Sequence, residues 1–474
     1  MIETDEVSSD CESLLHSESR KSQVDDSSQV RLFNGAIILN PTISKTNFLA
    51  FLIFSSFIGL IHLPINLLQS PLLRFKYEFQ TEDIVELSSL VNGVHFILKL
   101  FTASLFAYLA DNCGRRIVAT IGVIFLSCSA LILPRLPASE IDILYFIIQM
   151  FIQLGLLALQ SVPLLADYVD YETKGRAAGI VTVITFVATS LSTFFASNVD
   201  LKVGLPTDFQ IIGVMGLFLG LISLQGLKGG MYHKDQLVDR KAEGANRRIT
   251  RALLDNGATF RSLEPLLHPD YKPGFLAGIK QANNPWILAG YIIAFLSMQK
   301  NVLFSFILSN YVNTVTGSSV NGIQAYRLNN IHMITGIFSA IFFGFYADKY
   351  NKFKVIICII TTSMIGFILL LIAPSPFEWM AYVSMVVLGI DAAGFVIFTS
   401  QLLSKYPNPK YRASVIATGA VFQTIGTSVS NTIGVFLTQY SAEIPFYMYL
   451  GTAFISLLSL AILYRSKYEI ISRL

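Results

Sequence analysis

The sequence predicts an all-α polytopic membrane protein with twelve transmembrane helices in two pseudo-twofold-related six-helix bundles. Three observations predict this class: the composition, the long apolar stretches, and a polar pattern that occurs twice. The 474 residues are 53% hydrophobic and only 14% charged, and their mean hydropathy is +0.58. A chain of this composition lacks the polar surface of a soluble protein, so we expect the lipid bilayer to surround most of it.

Twelve apolar stretches are each long enough to cross ~30 Å of hydrocarbon as a helix. They lie near residues 48–69, 87–110, 116–133, 141–166, 177–197, 209–227, 285–309, 326–346, 354–373, 378–403, 413–437 and 445–464. The polar segment 228–284 separates six stretches from six and is rich in Lys and Arg. It predicts a basic cytosolic linker with a partly helical stretch near 234–254. An N-terminal bundle over 48–227, a C-terminal bundle over 285–464 and a cytosolic tail over 465–474 follow from these boundaries.

The repeated polar pattern is an Asn-x-x-His pair followed by an aspartate and a group of cations. Its members are Asn92, His95 and Asp111 in the first half and Asn329, His332 and Asp348 in the second. The offset is 237 residues in each case, since 332 − 95 and 348 − 111 agree. A repeat at about half the chain length indicates an internally duplicated membrane protein, an architecture typical of proteins that move a solute across a bilayer.

Lysine and arginine are concentrated in alternate loops. One set of loops includes Arg115 and Arg116, Lys174 and Arg176, and the linker, whereas the last two loops of the other set have no Lys or Arg. The positive-inside rule therefore predicts that both termini and the linker are cytosolic.

The N-terminal segment predicts an acidic tail, and the remaining sequence lacks the signatures of metal proteins and enzymes. Residues 1–31 carry eight acidic and three basic residues, which predicts an acidic disordered cytosolic tail over 1–47. The four cysteines predict neither a disulfide framework nor a metal site. No nucleophile, phosphate-binding loop or cofactor motif is recognisable, so we expect no enzyme, no cofactor and no nucleic-acid partner.

Three charged loops carry a family resemblance. The first repeat supplies Asp111, Gly114, Arg115 and Arg116, the second supplies Gly344, Asp348, Lys349 and Lys352, and the loop between predicted helices 4 and 5 supplies Asp170, Glu172 and Arg176. These loops resemble those of the major facilitator superfamily, and the resemblance spans essentially everything after the acidic tail. One departure is Asn351, which replaces the second glycine of the repeated motif. The resemblance implies a secondary active transporter, a solute carrier that works by alternating access.

The resemblance also implies a latch at the cytosolic ends of the helices. Asp111 is expected to face the N-terminal end of helix 11, where the helix dipole favours a carboxylate. A neighbouring arginine, Arg115 or Arg116, is expected to pair with a carboxylate of the next basic loop, Asp170 or Glu172. These contacts would hold the inner gate shut in one of the two transport states. The alternative, that the charges only set the topology, stays open at this point.

Polar side chains inside the predicted helices are costly in a bilayer and tend to face a water-filled cavity. The candidates for the cavity are His62, Lys99, Gln149, Gln153, Gln160, Gln299, Lys300 and Asp391, and those for the gating helices are Asn92, His95, Asn329 and His332. Interhelical hydrogen bonding is the alternative for each Gln and Asn. Packing is the alternative for His95 and His332, and a buried ion pair is the alternative for Lys300 and Asp391.

The predicted substrate follows from the charge of these candidates. Asp391 is the only carboxylate predicted near a helix centre, whereas two lysines and three histidines are or can become cationic. We therefore expect a small organic anion or zwitterion, held by Lys300 with help from Lys99 or His62. The histidines or Asp391 could couple transport to protons. A lipid or lysolipid carrier and a non-transporting receptor on the same fold remain alternatives.

The acidic tail contains a short sorting pattern. Asp10 lies four residues before the pair Leu14 and Leu15, as in acidic dileucine signals that sorting adaptors bind. A chance match in an acidic tail is the alternative. A functional signal predicts an endosomal, lysosomal or vacuolar membrane, and a chance match leaves the plasma membrane open.

Overall fold

The computed structural model describes residues 30–40, 43–79, 81–228, 275–316, 322–407, 411–438 and 440–471. Among these residues are twelve long helical segments, which we number α1 to α12. They are α1 (Lys45–Lys76), α2 (Thr81–Asn112), α3 (Arg115–Ile132), α4 (Ile141–Gln160), α5 (Lys174–Val203), α6 (Leu205–Gly226), α7 (Pro285–Val302, then a π-helical turn Leu303–Ile307 and Leu308–Thr316), α8 (Gly322–Lys349), α9 (Lys352–Ile372), α10 (Trp379–Lys405), α11 (Arg412–Ser428, then a π-helical turn Val429–Gly434 and Val435–Thr438) and α12 (Ile444–Ile471).

Each predicted apolar stretch overlaps one of these helices, so the all-α class is confirmed. Eight of the described helices are long and apolar enough to cross a membrane. The other four are α1, α2, α7 and α11, and for them the crossing stays a prediction.

Side-chain caps explain where several helices begin. At α1, the Ser44 side chain accepts a hydrogen bond from the Asn47 N–H while the Asn47 side chain accepts one from the Ser44 N–H. Such a reciprocal capping box satisfies two N–H groups that lack partners within the helix. At α7, Asn284 caps the Trp286 N–H and Pro285 occupies the first helical position, where proline costs no backbone hydrogen bond.

The helices form two bundles with separate apolar cores. One core is built mainly from α1 to α6 and the other mainly from α7 to α12. The bundles meet along two helix pairs, α5 with α8 and α2 with α11. Val421 of α11 therefore belongs to the first core and Phe186 of α5 to the second. We call the end of the molecule at which α2, α4, α8 and α10 end and α3, α5, α9 and α11 begin the basic face.

The last part of the predicted tail over 1–47 contains described secondary structure. Arg31–Leu32 and Ile37–Ile38 form a two-stranded antiparallel hairpin, β1 and β2, and α1 begins at Lys45. At the other end, α12 continues to Ile471, beyond the predicted boundary at residue 464.

The linker is described only at its end. A short helix, Phe275–Lys280, and a 3₁₀ turn, Gln281–Asn283, precede α7. The Phe275 N–H donates to Ser104 Oγ of α2 at 3.0 Å, and Thr418 Oγ1 of α11 donates to the Phe275 carbonyl at 3.3 Å. The linker thus ends in contact with both bundles. The helical stretch predicted near 234–254 lies outside the described residues.

Candidate functional site: a cross-bundle latch and two buried polar clusters

At the basic face, the Asp348 carboxylate caps the N-terminus of α5. Oδ1 accepts the Gly175 N–H at 2.8 Å and Oδ2 accepts the Arg176 N–H at 2.9 Å. The Arg176 side chain adds an ion pair at 3.4 Å, and Gln401 Nε2 of α10 donates to Oδ1 at 3.1 Å. A carboxylate at a helix N-terminus is stabilised by the unpaired N–H groups and by the helix dipole. Because α8 and α5 belong to different bundles, this contact holds the bundles together.

Two glycines let α5 and α8 approach closely beside Asp348. A Cβ atom on Gly179 would lie 2.8 Å from the Ala340 carbonyl oxygen and 2.9 Å from the Gly344 Cα atom. A Cβ atom on Gly344 would lie 3.1 Å from the Gly179 Cα atom. Side chains at these positions would push the helices apart and move Asp348 away from the α5 N-terminus.

The missing glycine of the second repeat has a structural reason. Gly114, at the start of α3, has φ +102°, a conformation that glycine adopts without strain. Asn351, at the start of α9, has φ −63° and its side chain caps the Phe353 N–H. The second repeat therefore begins its helix with a side-chain cap instead of a glycine turn, and the Asp348 contact forms without the glycine.

A second cross-bundle contact centres on Asp167, which the sequence analysis did not identify. Asp167 lies in a short helix, Leu164–Tyr168, after α4. Its carboxylate pairs with Arg115 Nε at 2.9 Å and with Arg412 Nη1, at the start of α11, at 3.6 Å. Arg115, one of the two arginines predicted to pair with Asp170 or Glu172, thus pairs with Asp167 instead. The Asp170 side chain caps the Glu172 N–H within its own turn instead.

Two lysines complete the cross-bundle contacts of the basic face. Lys174, buried at the start of α5, donates to the Ser404 carbonyl oxygen at the end of α10 at 3.1 Å. The Lys405 ammonium lies 4.0 Å from the ring centroid of Tyr171, a cation–π contact. The segment from Asp167 to Arg176 of the N-terminal bundle thus makes four contacts with the C-terminal bundle.

The other predicted gating residues have smaller or undescribed roles. Arg116 and Lys349 are exposed, and the Lys352 ammonium lies 5.9 Å from the Tyr406 ring centroid. The side chains of Asp111 and Asn92 lie outside the described set. The predicted contact of Asp111 with α11 therefore stays a prediction.

In the C-terminal bundle, Lys300 and Asp391 form a buried ion pair. Lys300 Nζ donates to Asp391 Oδ1 and to the Leu388 carbonyl oxygen, the latter at 2.6 Å. Lys300 is 2% exposed and Asp391 is 0% exposed. The ion-pair alternative is thus the arrangement present here, and Lys300 is neutralised by Asp391 instead of being available to hold an anion.

The ring of Phe304 connects His332 with this ion pair. The π-helical turn of α7 contains Phe304, whose ring stacks on His332 with centroids 4.3 Å apart and lies 5.6 Å from Lys300 Nζ. Asn329, one turn before His332, is also buried. Among the residues that the structure describes, no side chain or backbone group forms a hydrogen bond with the amide atoms of Asn329. Buried polar groups without partners are unusual in a packed interior. Packing alone therefore does not explain an asparagine at this position of α8.

In the N-terminal bundle, Lys99 and His95 lie one turn apart on α2. Lys99 is 6% exposed and His95 is 2% exposed. Within the described part of the chain, Lys99 forms no ion pair with a carboxylate, and neither ring nitrogen of His95 has a hydrogen-bond partner. Gln149 of α4, which packs against α2, is buried too, and its Nε2 atom has no partner among the described residues.

The remaining cavity candidates that the structure describes have different surroundings. Gln299 is bonded to Thr452 of α12, whose hydroxyl donates to Oε1 at 2.8 Å, so it connects two helices of one bundle. Gln153 and Gln160 are half-buried on α4. The side chain of His62 lies outside the described set.

Comparisons with known proteins agree with this architecture. Residues 287–470 match the sequence model of the Major Facilitator Superfamily, and no curated protein matches the chain by sequence. The proton:xylose symporter XylE, bound to 6-bromo-6-deoxy-D-glucose, has a similar structure, with TM-score 0.64 and 14% identity over 88% of this chain and 95% of that one. The human organic anion transporter MFSD10 (TETRAN) is similar with TM-score 0.60 and 13% identity, over 88% of this chain and 100% of that one. The sequence of the C-terminal bundle thus matches the Major Facilitator Superfamily model, and the fold of both bundles is similar to that of these two transporters.

Proposed function

We propose that the protein is a secondary active transporter for a small organic anion, which binds at the face of α2 that carries Lys99 and His95. The observation that carries this proposal is the ammonium group of Lys99, which is buried and has no carboxylate partner among the described residues. A buried cation without a counter-charge is costly. A bound anion would supply that charge, and the N–H group of the His95 ring would donate a hydrogen bond beside it.

The ion pair in the C-terminal bundle also favours Lys99 over Lys300 as the residue that binds the anion. Because Lys300 is paired with Asp391, it offers no uncompensated charge, whereas Lys99 is buried without a carboxylate partner among the described residues. Of the two similar structures, one belongs to a sugar symporter and one to an organic anion transporter. The fold is thus compatible with a neutral or an anionic substrate, and Lys99 favours the anion.

Transport by alternating access assigns a role to the basic face. We propose that this face is cytosolic and that the contacts of Asp348 and Asp167 close it while the opposite side is open. We propose His95, His332 and Asp391 as the candidates for proton coupling, because imidazole and carboxyl side chains can bind and release a proton.

The test is uptake by proteoliposomes that contain the full chain. Carboxylates, organic phosphates, cations, neutral sugars and a lysolipid are offered with and without an imposed pH gradient. Lys99→Met, which keeps the length of the side chain, should raise the KM of the anion by about tenfold or more, because a charged hydrogen bond is worth about 1.5–3 kcal/mol. Lys99→Arg should retain most of the affinity.

Two results would overturn the proposal. One is uptake limited to cations, neutral solutes or the lysolipid. The other is an unchanged KM in Lys99→Met.

A further inference from the structure

The N-terminal hairpin is bonded to the loop that closes the basic face. We define the hairpin segment as residues 30–40 and the 4–5 loop as residues 167–173. Leu39 forms a β-bridge with Val169, the Asp170 N–H donates to the Ile38 carbonyl at 2.9 Å, and the Asn40 N–H donates to the Tyr168 carbonyl at 3.0 Å. The hairpin segment thus adds a short strand along the 4–5 loop.

Side chains strengthen this pairing at both ends. Asn40 Nδ2 donates to the Asp167 carbonyl at 2.6 Å, and the Ile38 N–H donates to Thr173 Oγ1 at 3.1 Å. Ile37 and Leu39 are fully buried. Because both polar and apolar groups contribute, the hairpin segment is a packed part of the N-terminal bundle.

The turn of the hairpin has a specific backbone conformation. Phe33, Asn34 and Gly35 have φ of +50°, +55° and +86°, and glycine and asparagine adopt such values more readily than other residues. This turn directs β2 along the 4–5 loop, so the local sequence supports the long-range pairing.

The 4–5 loop is the segment that needs to be held in place. It presents the Asp167 carboxylate to Arg115 of its own bundle and to Arg412 of the other bundle. It also leads directly into Lys174, which contacts Ser404. An unsupported loop would lose conformational entropy each time these contacts formed, whereas a loop already ordered by the hairpin would not.

We propose that the hairpin segment acts as a positioning element for the transport cycle, with Asn40 as its main side-chain contact. It holds the 4–5 loop in the conformation that closes the basic face and so favours the closed state over the open one. When the bundles separate, the hairpin stays with the N-terminal bundle and keeps the loop ready to close again.

The test measures how often the basic face opens, using a buried cysteine as the reporter. Ser404→Cys is nearly isosteric, leaves the backbone carbonyl that accepts from Lys174 in place, and is 2% exposed in the closed state. It is introduced after the four native cysteines have been changed to serine, and the purified full chain in nanodiscs reacts with a charged thiol reagent. Asn40→Ala should raise the reaction rate by about two- to tenfold, the range expected for one lost hydrogen bond.

Asn47→Ala is the matched control. Asn47 Nδ2 also donates to a backbone carbonyl, that of Gly226 at 2.8 Å, but both residues belong to the N-terminal bundle and neither contacts the 4–5 loop in the described contacts. Thr173→Val removes the acceptor of the Ile38 N–H with little change in shape and is measured in the same way, also in case Asn40→Ala does not yield folded protein.

The proposal is overturned if the variants of the hairpin contact react at the parental rate, or if Asn47→Ala raises the rate equally. A rise in rate with an unchanged melting temperature supports a positioning role over a purely structural one. The inference rests on the alternating access proposed above, but no substrate is present in this assay, so its outcome is independent of the assignment of Lys99.

Discussion

The Asp348 carboxylate, at the end of α8, accepts the backbone N–H of Gly175, near the start of α5, at 2.8 Å. One residue of the C-terminal bundle thereby caps a helix of the N-terminal bundle. The contact can exist only while the two bundles are together on the basic face, so its free energy contributes to one conformational state and not to the other.

Asp348→Asn should therefore shift the conformational equilibrium toward the state in which the basic face is open. Loss of the charge at the helix N-terminus is worth about 1–2 kcal/mol, which corresponds to a five- to thirtyfold change in the ratio of the states. Spin labels on the exposed residues Glu172 and Lys354 should report a larger population of long distances. The neighbouring change Lys349→Gln, at an exposed residue, is the control, and equal distance distributions in Asp348→Asn and the parent would contradict the role of the carboxylate.

Removing one member of the buried ion pair should be more damaging than removing both. Lys300→Leu or Asp391→Leu alone leaves an unpaired buried charge, which costs about 3–5 kcal/mol in comparable sites. The double variant Lys300→Leu/Asp391→Leu should regain most of the folded yield and melting temperature, measured by size exclusion after heating. If the double variant is no more stable than either single variant, an unpaired buried charge is not what destabilises the single variants.

A side chain at the crossing of α5 and α8 should prevent the close approach of the bundles. Gly179→Val adds atoms where the Ala340 carbonyl oxygen and the Gly344 Cα atom already lie within 3 Å of a Cβ position, and overpacking of this kind costs about 1–3 kcal/mol. We expect a lower melting temperature and a more open basic face. Gly451→Val on α12, where no atom lies within 4 Å of the Cβ position, should behave like the parent.

The sorting pattern can be tested in cells without reference to transport. Asp10, Leu14 and Leu15 lie outside the described residues. Changing both leucines to alanine should move the protein from an endosomal, lysosomal or vacuolar membrane to the cell surface, as seen by fluorescence microscopy of a C-terminally tagged chain. An unchanged distribution would show that the pattern is a chance match.

The positions of the helices could be predicted because long apolar stretches have few alternatives in a bilayer. The kind of contact that Asp348 makes was predictable from the repeat, since its counterpart Asp111 is expected to face a helix N-terminus. The replacement of the second glycine by Asn351 weakens the motif in the sequence, because a sequence does not reveal that a side-chain cap can replace a glycine turn.

Long-range pairings were the part that could not be predicted. The hairpin segment pairs with a loop about 130 residues away, and short strands derive their stability from such neighbours more than from their own sequence. Asp167 was missed because it lies only three residues before Asp170, and local spacing does not decide which carboxylate turns toward Arg115. Lys300 and Asp391 left two alternatives open because the choice depends on the rotation of two helices about their axes.

The ion pair of the C-terminal bundle has no counterpart at the corresponding positions of the N-terminal half. At the offset of 237 residues that relates the halves, Lys300 corresponds to Leu63 and Asp391 to Leu154. Exchange of a buried ion pair for two apolar side chains is often neutral or stabilising, and one half of this chain already has the apolar version at both positions. The N-terminal bundle thus forms with leucine at both positions, so a bundle of this architecture does not need the charged pair in order to fold.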